Sequence, residues 1–160
     1  MLVFALLLAA AVPAAPPYAM PGEAAVAPYQ AKDSNAEARP YTGDFMARAF
    51  HGRAGIARVA GDLVDRAYAD PVIGEIFKGH DKVRPTRTLF EQFCYIIGAG
   101  CTYSGRDMIA SHKDLGVQQA DMNRLVELLQ RAMRDEKVPF AAQNRLLARL
   151  APMRGHVVQK

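Results

Sequence analysis

The sequence predicts an all-α domain, on three observations. Apolar residues recur at helical spacing, prolines and glycines fall where helices begin and end, and no stretch alternates with a period of two between turn pairs such as Asn-Gly. The clearest helix runs from Met122 to Met133, where Met122, Leu125, Val126, Leu129 and Met133 share one face. Ile56, Val59, Leu63 and Ala67 repeat that spacing. Asp70-Pro71 ends this earlier helix, because the residue before a proline is pushed out of the helical region.

In chain order, Leu2 to Val12 is an apolar run of signal-peptide length, too short to cross a bilayer, followed by small residues that offer cleavage near Ala14 or Ala19. Residues 1–19 are therefore read as a signal peptide and the protein as exported, in the periplasm. The alternative is an uncleaved tail on a cytoplasmic protein. Residues 20–44, rich in Ala and Pro with scattered charges, predict a disordered linker. The folded domain is placed at 45–158. Leu89, Phe93 and Ile97 share a face of the next helix, and Gly98, Gly100 and Gly105 punctuate the loop after it. Val138-Pro139 opens the last helix, where the missing proline N–H costs nothing.

With 160 residues, 51% of them hydrophobic, the chain has material for one core and a tail, and a domain this small gains from a bound cofactor. The net charge of +4 comes from Lys and Arg dispersed among acids, without the basic strip that a nucleic-acid face needs. Gly-x-Ser-x-Gly, phosphate-loop and dinucleotide motifs are absent, as are His-x-x-x-His and Cys-x-x-Cys, which argues against hydrolase, nucleotide and structural zinc sites.

The most informative segment is YSGRDMIASHKDLGV, Tyr103 to Val117, which sets His112 on a short helix behind the glycine loop. A lone histidine is by itself an ordinary surface residue. Its neighbours add to it. FMARAFHGRAGIARVAGDLVDRAYADP, IFKGHDKVRPTRTLFEQFCYIIGAGCTYSG, ADMNRLVELLQRAM and VPFAAQNRLLARLAPMRGHVV follow one another without gaps in the pattern of a group I truncated haemoglobin, which the chain resembles from about Asp44 to Val158. Met46-Ala47 stands where that family has leucine-tyrosine, and His51-Gly52 where it has a glycine pair.

The resemblance implies a shortened globin fold, a two-over-two helical sandwich holding haem b, with His112 as proximal iron ligand. Haem is non-covalent because Cys-x-x-Cys-His does not occur. A porphyrin needs an apolar slot. Phe77, Leu89, Phe93 and Ile97 are expected on its distal side with the hydroxyl of Thr88, and Met108, Val117, Met122 and Leu125 on its proximal side. Val64 and Leu89 occupy positions where relatives carry a tyrosine and a glutamine, and Pro85 precedes them on the distal helix. Gln92 lies at the margin of the distal face, and Tyr95 points away. Arg84, Arg87, Arg106 and Lys113 flank the pocket as propionate partners or as plain surface charge. His51 and His156 are read as solvent-facing, and His80 as a loop histidine that stays in water, a swing toward iron as sixth ligand being the alternative.

Three functions follow: reversible binding of oxygen or another diatomic gas (nitric oxide, carbon monoxide); nitric oxide dioxygenase chemistry with an external reductase; or an exported helical interaction module without haem. Cys94 and Cys101 form an even pair in an exported chain, which suggests a disulfide. Within one helix they would stand roughly 10 Å apart, so bridging requires the helix to end near Gly98. Two buried free thiols are the alternative.

Overall fold

The computed structural model describes residues 18–158; the apolar run Leu2–Val12 and the Ala14 cleavage position lie outside them. The helices are α1 (Phe45–Ala49), α2 (Gly52–Ala69), α3 (Val83–Ile97), α4 (Met108–His112), α5 (Gln119–Asp135), α6 (Phe140–Leu150) and α7 (Arg154–Val157), with 3-10 turns at Asp33–Ala36, Gly74–Phe77 and Ala151–Met153. No strand occurs among the described residues. Helix α2 packs on α3 and α5, and α3 packs on α6, so the four longest helices form two layers of two. Phe50, Leu63, Phe93, Ile96, Ile97, Met133 and Leu146 are buried between them.

The turn into α2 keeps a left-handed backbone although a histidine occupies it. His51 has φ 55° and Gly52 φ 67°. A non-glycine residue there costs about 1–2 kcal/mol, and the His51 ring meets Glu136 Oε1 at 2.9 Å, on the carboxylate that also receives Arg58. Glu136 is held down to about 2 by the Arg58 hydrogen bonds, against a burial effect in the other direction and with further help from His51. Gly55, one turn on, must be glycine because a Cβ would lie 2.0 Å from Phe50 O.

Helix α2 stops where Asp70-Pro71 requires. Asp70 Oδ1 accepts the N–H groups of Val72 (2.9 Å) and Ile73 (3.2 Å), and Oδ2 accepts Arg124 Nε (3.0 Å) and Nη2 (2.8 Å) from α5. One buried carboxylate thus ends α2 and fastens it to α5. The Arg124 hydrogen bonds hold the Asp70 carboxyl below the usual range, against the effect of burial.

Helix α3 ends at Gly98, whose φ of 79° reverses the chain. A Cβ there would sit 2.3 Å from Tyr41 O, so the turn admits glycine alone. The reversal brings Cys101 back until its Cα is 5.5 Å from that of Cys94, and the two are joined by a disulfide. Of the two expectations for these cysteines, the bridge holds.

The segment read from composition as a linker lies along the helical body. Asn35 and Ala36 are buried, Asn35 Nδ2 donates to Gly105 O (3.0 Å), Tyr41 N donates to Ile96 O (2.8 Å), and Tyr29 OH donates to Ser104 O (2.8 Å). The physical reason is that polar, long-range contacts order it, and low apolar content does not forecast those.

Breaking the bridge removes a constraint on the unfolded chain worth roughly 2.5 kcal/mol for a loop of this length. Cys94→Ser, or the wild type in reductant, is expected to lower the urea midpoint with little change in slope. Equal midpoints for the oxidised and reduced protein would show that the bridge contributes no stability.

Candidate functional site

A cavity of about 430 Å³ opens among α2, α3, α4, the start of α5 and the N-terminal segment. From α3 the residues on its wall are Arg84, Pro85, Thr88, Leu89 and Gln92, a ridge in which i+3 and i+4 positions follow one another. From α2 come Leu63, Val64, Ala67 and Tyr68. The far side is formed by Met108, His112, Leu115, Val117, Met122 and Leu125.

His112 ends α4, a helix started by Asp107, whose Oδ1 accepts the N–H of Ala110 at 2.8 Å. The ring is oriented by its own helix. Nδ1 lies 2.8 Å from Met108 O, and since a carbonyl only accepts, Nδ1 donates and the neutral ring carries its lone pair on Nε2. Burial lowers the His112 pKa, outweighing the hydrogen bond to Met108 and the charge of Glu37, which both act to raise it. The imidazole is therefore neutral at neutral pH. That is the ligating form.

Of the residues the sequence nominated, Phe77, Thr88, Leu89, Met108, His112, Val117, Met122 and Leu125 all reach the cavity wall. Phe93 and Ile97 do not: each is buried in the core at 2% exposure or less, off the wall. The cavity-facing ridge of α3 centres on Thr88. At 3.6 residues per turn, Phe93 and Ile97 are rotated from it towards the helix layers. A shared face with Leu89 was legible, but which edge of that face turned to the cavity was not.

Several polar groups on the wall are committed elsewhere. Thr88 Oγ1 donates to Arg84 O (2.9 Å), and Gln92 Nε2 donates to Ala36 O (3.3 Å) and approaches the sulfurs of Met108 (3.7 Å) and Met153 (3.5 Å). Tyr68 OH donates to Asp81 O (2.7 Å) while its ring stacks on Phe77 at 4.9 Å. Tyr103 OH donates to Arg106 O (2.9 Å), and burial pushes its pKa up. Tyr95 lies off the wall, as its helix position implied.

Arg84, Arg106 and Lys113 lie on the cavity margin, and Lys113 is solvent-exposed. Arg87 does not reach it. Its guanidinium is buried against Glu23 and Glu91; burial pulls its pKa down, but the hydrogen bonds it donates to these carboxylates outweigh that and hold it above the ordinary value. The propionate reading of Arg87 is thus replaced by a structural one. His80 also borders the cavity, from an exposed loop. His51 and His156 are half-exposed, each with a ring nitrogen on a carboxylate, His156 Nδ1 on Glu37 Oε2 at 2.7 Å. Sequence reasoning missed Val26, Tyr29 and Tyr103, which border the cavity from outside the helices. No periodic pattern marks them.

Among the described residues no group of three His, Cys, Asp or Glu side chains is placed to hold a metal, so a metal here would rely on one imidazole and a carrier. The site fits haem on that ground: an apolar slot, a neutral imidazole in its wall, and cations at its margin.

The fold and site define a small helical protein of the two-over-two type, built around a histidine-bearing pocket. Residues 48–159 match the family model described as bacterial-like globin, and the chain belongs to that family. Membership implies a haem cofactor. Among solved structures it is similar to the truncated haemoglobin of Tetrahymena pyriformis in its Fe(III) form (18% identity, TM-score 0.67, 72% of this chain and 98% of that one). It is also similar to the 2/2 haemoglobin of Synechococcus sp. PCC 7002, determined in the cyanomet state with covalently attached haem (17%, 0.66, 72% and 98%). A third is Chlamydomonas reinhardtii THB1 (21%, 0.62, 74% and 100%). No curated protein matches the chain.

Proposed function

We propose that this chain holds haem b through His112 Nε2 and reversibly binds a diatomic gas in the pocket bordered by Val64 and Leu89. The observation that carries the reading is the Nδ1–Met108 O bond, which fixes a half-buried, neutral His112 in the wall of an apolar cavity. Haem, when bound, supplies an iron with a position open to such a gas. The chain's residues do the rest. Phe77, Leu89, Met122 and Leu125 exclude water, Met108 O orients the imidazole, and Arg84, Arg106 and Lys113 would offer cations to the propionates. The export reading, with the periplasm as compartment, draws support from the Cys94–Cys101 bridge, since disulfides persist in oxidising compartments.

The distal side governs the choice of gas. Val64, Pro85 and Leu89 carry no donor, and the donors of Thr88, Gln92 and Tyr68 are spent on backbone carbonyls. Oxygen held in a globin pocket gains about 1–2 kcal/mol from one hydrogen bond, so this pocket favours carbon monoxide over oxygen relative to pockets that have a donor.

Two measurements follow. His112→Gly purified with haem is expected to lose the wild-type Soret band and to regain it with added imidazole; an unchanged band without imidazole would assign the ligand elsewhere. Leu89→Gln installs a donor on the wall. It should slow oxygen release by roughly tenfold, the factor that corresponds to 1.4 kcal/mol, in stopped-flow displacement by carbon monoxide. An already slow wild-type release, left unaltered by this substitution, would mean that a donor is present.

A further inference from the structure

The family match begins at residue 48, yet two residues far upstream of it, Val26 and Tyr29, form part of the cavity wall. They belong to a stretch without regular secondary structure that is tied to the helical body along its length. Glu23 is the firmest tie. Its side chain is 2% exposed and meets the guanidinium of Arg87, itself 7% exposed, with Oε2 3.0 Å from Nη2. Arg87 also reaches Glu91 and Ser104 Oγ. Ala24 follows, its N–H donating to Asp81 Oδ2 at 3.1 Å and its carbonyl accepting from Arg84. Ala27 O accepts from Arg106 Nη2 at 2.9 Å. Tyr29 closes the series: its hydroxyl donates to Ser104 O at 2.8 Å, the Arg106 guanidinium lies 5.2 Å from its ring centroid, and burial pushes its pKa up to about 12.

The anchors have a common address. Asp81, Arg84, Arg87, Ser104 and Arg106 sit at the start of α3 and in the loop leading to α4, and Arg84 and Arg106 are also on the cavity margin. A segment fastened at several points to this edge of the cavity, with Val26 and Tyr29 on the wall, closes that edge. The Glu23–Arg87 charges are buried and paired, and separating such a pair leaves an uncompensated charge. The segment is therefore a fixed part of the wall, with Val26 and the Tyr29 ring on its inner surface.

We propose that residues 23–29 form a strap over the margin of the haem pocket, in which Val26 and Tyr29 are cofactor-contacting residues and the Glu23–Arg87 pair is the clasp that sets how fast haem leaves. The proposal rests on the haem reading above and adds residues outside the globin match. It makes Arg84 and Arg106 shared groups, bound to strap carbonyls and available as cations to the haem propionates. Haem exit requires the Glu23–Arg87 contact to open and the Tyr29 ring to leave the wall.

The test is haem transfer from the full-length holoprotein to excess apomyoglobin, followed by absorbance, alongside hydrogen exchange of the strap amides. Tyr29→Ala and Glu23→Gln are expected to speed haem loss by about tenfold or more, equivalent to about 1.4 kcal/mol, and to raise exchange at residues 23–30 while α5 stays protected. Tyr29→Phe, which keeps the ring on the wall, should restore slow loss. Haem loss at the wild-type rate in both Tyr29→Ala and Glu23→Gln would overturn the strap while leaving His112 ligation intact. A wild type that takes up no haem would overturn the haem reading itself, and the strap with it.

Discussion

The end of α3 at Gly98 is the constraint from which most of this architecture follows. A left-handed residue is needed there, and the backbone of Tyr41 leaves no room for a Cβ. Because the chain reverses at that point, Cys101 returns to Cys94, and the loop runs back along α3 instead of away from it. Ser104 then meets Glu91 through both its N–H (2.9 Å) and its hydroxyl (2.6 Å). Tyr103 N reaches Asp33 Oδ1 at 2.8 Å. Only with the loop so placed does α4 begin where Met108 is buried and His112 borders the cavity.

Helix α3 consequently serves three environments with three faces. Leu89, Thr88 and Pro85 border the cavity, Phe93, Ile96 and Ile97 fill the core, and Arg87 with Glu91 faces the loop and the N-terminal segment. Each side of the helix thus has a different solvent, which is why the apolar periodicity of its sequence spans both the core and the pocket. Gln92 sits where two of these meet. Its amide joins Ala36 to the sulfurs of Met108 and Met153, linking the N-terminal turn, the histidine helix and the C-terminal turn.

Much of this was legible in the residues. The spacing from Met122 to Met133, the stop at Asp70-Pro71 and the start at Val138-Pro139 place α5, the end of α2 and the start of α6 because they depend on local rules of burial and backbone sterics. His112 was legible through the pattern around it. The Phe93 placement was not, since a helical face 100° wide does not say which edge meets a cavity. Nor was the ordering of residues 18–44: contacts such as Glu23–Arg87 span 64 positions, are polar and non-repeating, and leave no periodic trace. Arg87 looked like a propionate partner for the same reason, because its partner in sequence space could not be seen.

The central claim is that this apolar cavity with its neutral His112 is a haem site, and a titration of the purified apoprotein with haemin tests it most directly. The account predicts a sharp break in Soret absorbance at one equivalent, with excess haemin giving only its unbound spectrum. Absorbance that follows unbound haemin from the first addition, with no break, would contradict it.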